Sequence, residues 1–109
     1  MKYVKVEVFI PEADHLKLME ALNAEKLLGQ GKYDFVFATT QVMGHWRPLE
    51  GADPAIGEVG KISREPELKI EFRIQQEKRR QVEQLIRKHH PYEEPAINFI
   101  PLAISDGEQ

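Results

Sequence analysis

The 109-residue chain contains no cysteine. That single absence removes disulfides, thiolate zinc sites, iron–sulfur clusters and cysteine nucleophiles together. An excess of one charge is missing as well: 15 basic side chains stand against 18 acidic ones, a formal net charge of −3. Such a balance provides neither a polybasic nucleic-acid surface nor an acidic tail. The densest basic run, Lys78-Arg79-Arg80, lies beside Glu77 and Glu83 and reads as a solvated helix face. Long apolar runs are lacking, so no segment is expected to cross a membrane. The first residues, Met1 to Glu7, lack the apolar stretch of a secretory signal, and a cytoplasmic location is expected. Glycine and proline, seven each, are near average usage, which excludes a fibrous or disordered composition.

What is present is one pattern written twice. Val4, Val6, Val8 and Ile10 alternate with polar residues, the period of a half-buried strand, and Pro11 ends the run. Leu68, Ile70, Phe72 and Ile74 repeat the pattern at an offset of 64 residues. At the same offset Leu18, Ala21 and Leu22 match Val82, Leu85 and Ile86, each set spaced as one stripe of an amphipathic helix. Helices are therefore predicted at about Glu12–Leu28 and Glu77–His89, the second ended by Pro91. Short strands are predicted around Tyr33, Phe35 and Phe37 and around Ile97, Phe99 and Pro101. The result is an α+β, ferredoxin-like β-α-β-β-α-β domain over residues 1–104: a four-stranded antiparallel sheet with two helices on one face. The first and third strands should be central, and 105–109 reads as a frayed polar tail. The uncovered sheet face would carry Lys5, Glu7, Phe9, Lys69, Glu71 and Arg73, either solvated or used for self-association.

Residues 41–66 are left over as a long connection between strands two and three. A compact domain seldom carries such a connection without a use for it. Trp46, Leu49, Ile56, Val59 and Ile62 are its apolar anchors, and the segment matches neither a P-loop nor a dinucleotide fingerprint. Trp46 reads first as packing; Arg47 reads as an ion pair with Glu50 or as a ligand contact for carboxylate or phosphate. A second cluster, His89-His90-Pro91-Tyr92-Glu93-Glu94-Pro95, joins helix two to strand four. His89 falls on the apolar stripe and is expected to face inward, which favours a structural turn over a metal site. His15 reads as an exposed helix residue, and no Ser-His-Asp order or His-Glu-x-x-His motif stands out.

The run Gly44-His45-Trp46-Arg47-Pro48-Leu49-Glu50-Gly51 through Gly60, with His90-Pro91-Tyr92-Glu93-Glu94-Pro95-Ala96, resembles the YqfO family. That family is the PII/CutA-like domain of Nif-three-like dimetal proteins, found also as a free-standing small protein. The resemblance covers about residues 2–102, and the His-Pro-Tyr-Glu-x-Pro element is also similar to CutA, the divalent-cation-tolerance protein. It implies a ferredoxin-like sheet, assembly as trimers, and a ligand- or partner-binding role for the segment after strand two. The dimetal ligands of full-length relatives lie in flanking domains not found here, so their hydrolase and cyclohydrolase names are not expected to transfer. Two departures stand out: Glu25-Lys26-Leu27-Leu28 replaces a glycine-rich end of helix one, and Val36 stands where the family often has cysteine.

The expectation is a non-enzymatic, self-associating binding or regulatory module without a resident cofactor. His45, Trp46, Arg47, Glu50, His90, Tyr92 and Glu93 would form its surface for a small molecule or protein. A divalent-metal protein using His45, His90, Glu93 or Glu94 is the alternative, and an assembly module without a small ligand is a third reading.

Overall fold

The computed structural model describes residues 2–105. The tail predicted at 105–109 therefore lies, from residue 106 onward, outside the described residues. Strand β1 spans Tyr3–Pro11 and helix α1 Glu12–Ala24. Strands β2 (Ala38–Trp46) and β3 (Ser63–Gln75) follow, then a 3-10 turn at Gln76–Lys78, helix α2 (Arg79–His89) and strand β4 (Ile97–Leu102). The strands form one antiparallel sheet in the order β2-β3-β1-β4, the ferredoxin-like arrangement with β1 and β3 central.

Alternation explains the core. Val4, Val6, Val8 and Ile10 of β1 and Leu68, Ile70, Phe72 and Ile74 of β3 turn to one face and are buried. Leu18, Met19 and Leu22 of α1 and Val82 and Ile86 of α2 pack on that face in a single cluster, placing both helices on the same side. Each such side chain, removed from water, contributes about 1.5–3 kcal/mol. On the opposite face the charges pair across strands. Lys5 Nζ lies 2.8 Å from Glu71 and 3.3 Å from Glu7, and Lys69 approaches Glu7 at 3.8 Å. The Glu71 carboxylate, then Glu7, raises the Lys5 pKa; the Lys5 ammonium lowers that of Glu71.

Helix α1 is shorter than its apolar stripe. It closes with Lys26 at φ 60°, Lys26 N–H donating to Asn23 O at 2.9 Å and Leu27 N–H to Leu22 O at 3.0 Å. These two bonds form a Schellman closure with lysine where glycine is usual, and Leu27 is buried beneath it. The strand expected at Tyr33–Phe37 is absent. The Asn23 side chain instead accepts from Phe35 N–H at 2.8 Å and donates to Asp34 at 3.1 Å, with Phe35 at φ 51°. This local network replaces ladder hydrogen bonds, and Tyr33 is 77% exposed. Strand β2 starts only at Ala38, so the connection written as 41–66 reduces to 47–62, its flanks belonging to β2 and β3.

The β2–β3 ladder continues to Trp46↔Ser63, whereas β1 stops pairing at Pro11↔Glu67. Residues 43–46 and 63–66 therefore form a two-stranded arm beyond the four-stranded sheet.

Candidate functional site

The base of this arm carries a cleft of about 810 Å³ on the sheet face away from the helices. Its floor is Glu67, which shares that face with Lys69 and Glu71 because side chains alternate along β3. Glu67 is only 6% exposed. Its Oε2 accepts a 2.6 Å hydrogen bond from the Tyr92 hydroxyl. Its Oε1 takes no hydrogen bond or ion pair from any described residue and borders the cleft. Gly44, on the neighbouring strand, makes room for the carboxylate: a Cβ at that position would lie 2.6 Å from Glu67 Cδ.

Tyr92 and Trp46 form the aromatic walls, their ring centroids 5.4 Å apart and tilted by 50°. Phe9 adds a third ring to the lining. Trp46 Nε1–H donates to Ile56 O at 3.2 Å, folding the 47–62 connection back over the cleft. Gly57 permits the fold-back with φ +107°, since a Cβ there would meet Ser63 and the indole nitrogen. The far rim closes where Asp53 N–H donates to Glu93 Oε1 at 3.2 Å, joining the connection to the 90–95 turn.

His90 holds Tyr92 in place from behind. Its Nδ1 accepts from Tyr92 N–H at 3.1 Å, so the ring proton sits on Nε2 and is donated to Phe9 O at 2.6 Å. Both ring nitrogens are thus engaged. Burial pushes the His90 pKa below its ordinary value, against the smaller opposing effect of the Phe9 carbonyl. Burial first, and the Glu67 carboxylate second, push the Tyr92 phenol well above its ordinary value, so it remains a hydrogen-bond donor at neutral pH.

The predicted inward histidine was His89, but His89 is exposed and His90 is buried. The cause is Pro91: it forces His90 out of the helix to φ −91°, ψ 134°, which swings the ring under β1. Trp46, Arg47, Glu50, Tyr92, Glu93 and Glu94 all border the cleft. His45 borders it too, but is exposed and alternates to the opposite face of β2 from Gly44 and Trp46. The Arg47–Glu50 ion pair does not form among the described residues. Leu49, Val59 and Ile62 do not anchor the connection; they are 65%, 51% and 70% exposed. His15 is half-buried and its Nδ1 meets Glu12 O at 2.6 Å. Among the described residues no group of three or more His, Asp or Glu is arranged to hold a metal ion.

Sequence reasoning missed Glu67, Gly44 and Phe9 as site residues. Glu67 looks like one more charge on a solvated strand face until β2 and β3 are placed in register and Gly44 is seen beside it.

Fold and site together define a ferredoxin-like α+β domain with a projecting β2–β3 arm and an aromatic, acidic cleft at the arm's base. The family model described as CutA1 divalent ion tolerance protein matches residues 59–108. In sequence the chain is similar to a Staphylococcus aureus protein named GTP cyclohydrolase 1 type 2 homolog, with 35% identity over 100 residues. That match covers 92% of this chain and 27% of the relative, so the chain spans about a quarter of the curated relatives it matches. In structure it is similar to a Bacillus cereus protein related to NIF3, at 29% identity and a TM-score of 0.79. This covers 93% of this chain and 26% of the other. CutA1 from Oryza sativa shares the fold at 13% identity and a TM-score of 0.73, covering 97% of this chain and 84% of that one. No described helix is long and apolar enough to cross a membrane.

Proposed function

We propose that the chain is a YqfO-like, PII/CutA-like binding or regulatory module that acts as an assembly of copies and is not itself an enzyme. The observation that carries this reading is the cleft: the 47–62 connection and the 90–95 turn, far apart in sequence, are tied together over a buried carboxylate. Its surface residues are Trp46, Arg47, Glu50, Tyr92 and Glu93, with His45 at the margin and His90 as support. The non-enzymatic reading is supported by the chemistry of the two groups best suited to proton transfer. His90 has both nitrogens bonded, and the Tyr92 phenol is held protonated. The cyclohydrolase name belongs to proteins of which this chain spans about a quarter.

Self-association is supported by the arm, and the trimer is the number of copies that the PII/CutA-like resemblance implies. A two-stranded ribbon is marginal on its own in water; this one exposes Met43, and Ile62 next to it in the connection is exposed as well. The family description supports the divalent-metal alternative, but His90 is spent on Phe9 and Tyr92, and Glu93 on Asp53. Calorimetric titration with copper and zinc separates the two readings. Sub-millimolar binding lost on His45→Ala favours the metal reading, and heat no greater than dilution removes it. Thermal-shift screening against nucleotides, carboxylates and amines tests the cleft: a stabilising compound whose effect is lost in Trp46→Ala is expected. A hit insensitive to Trp46, Arg47 and Tyr92 substitutions contradicts the proposed surface.

A further inference from the structure

The cleft's charge and lining define the ligand class more narrowly. Glu67 is nine-tenths buried, yet one of its oxygens lacks a partner among the described residues and faces the cleft. A carboxylate accepting a single hydrogen bond keeps acceptor capacity for a further donor, and here that capacity lies on the side open to the cleft. Around it the charge is lopsided: Glu50, Glu67, Glu93 and Glu94 border the cleft against Arg47 alone among fully charged cations. Arg47 does not pair with Glu67. The charged groups that perturb Tyr92, namely Glu67, Glu65 and Asp14, are all negative, consistent with an electronegative cavity. An anionic ligand would meet this field with one exposed guanidinium to offset it. A hard divalent ion would need several oxygen ligands, where the walls offer Trp46, Tyr92 and Phe9. Aromatic faces beside a buried carboxylate suit an organic cation, which can shed its hydration cheaply and be held by both.

We infer that the cleft binds a small organic cation, an amine or quaternary ammonium, with Glu67 as its anionic anchor and Trp46 and Tyr92 as its walls. The inference rests on the cleft being the recognition surface. Trp46 is the only tryptophan in the chain, so its fluorescence reports occupancy directly. Butylammonium chloride and tetramethylammonium chloride are titrated against matched sodium chloride, with 1-butanol as the neutral isostere and sodium butyrate as the anion. A saturable Trp46 response to at least one ammonium probe, absent with sodium chloride and butanol, is expected. Glu67→Gln keeps an acceptor for Tyr92 and is expected to weaken binding about tenfold or more. An equal response to butanol, or no saturation with either ammonium, overturns the inference, and this holds from the unaltered protein even if Glu67→Gln fails to fold. Saturation by butyrate that is lost in Arg47→Ala overturns the cation class and leaves the cleft as the recognition surface. Silence of Trp46 to every probe removes both.

Discussion

Gly44 and His90 shape the site and Lys26 closes helix α1, and each makes a measurable commitment. Gly44 is small because Glu67 lies over it; Gly44→Ala drives a methyl into the carboxylate. That substitution is expected to cost about 1–3 kcal/mol in denaturant unfolding and to break the Tyr92–Glu67 hydrogen bond. Lys26 occupies a left-handed closure that glycine adopts without penalty. Lys26→Gly is therefore expected to stabilise the fold by about 1 kcal/mol, read as a raised midpoint in the same experiment. Burial lowers the His90 pKa from 6.5, which favours the neutral ring in the folded chain. Once the pH falls below 6.5 the unfolded chain takes up a proton that the folded chain resists. This contribution to stability is complete above that value and is lost as pH falls toward the depressed folded value. The slope of melting temperature against pH in that window should be smaller in His90→Asn. An unchanged slope would assign the dependence to another group.

At the scale of elements, legibility followed the strength of the period. Strands β1 and β3 and the second helix could be read because their apolar residues recur at strict spacing and all meet one core. Strand β2 could not. Its residues are mostly exposed, so it has no apolar alternation, while Tyr33, Phe35 and Phe37 imitate one in a segment governed by Asn23. The candidate site was half legible for the same reason. Trp46, Arg47, Tyr92 and Glu93 lie in runs with unusual composition, but Glu67 acquires its role only through pairing with a strand whose position the sequence hid. The 47–62 connection is held over the cleft by the Trp46–Ile56 hydrogen bond. Trp46→Phe should keep the global melting temperature within a few degrees while hydrogen exchange across residues 50–60 accelerates. Unchanged exchange there would mean that the indole does not hold the connection.

For the whole molecule, shape is the informative quantity. The radius of gyration is 15.4 Å and the extents are 53 × 27 × 24 Å. A compact chain of this length would have a radius of about 13 Å. The arm and the 47–62 connection extend the molecule beyond the point where β1 ends, and they leave Met43, Leu49, Val59 and Ile62 exposed. Copies packed against one another would bury these side chains and support the ribbon. Ile62→Glu should then shift the assembly toward monomers, seen as slower sedimentation turning concentration-dependent, with unchanged secondary structure by circular dichroism. The most direct measurement is the molar mass of the unaltered protein at micromolar concentration by size-exclusion chromatography with light scattering. A mass of three times the 12.6 kDa chain is expected, and a stable species of 12.6 kDa would contradict assembly as the basis of its function.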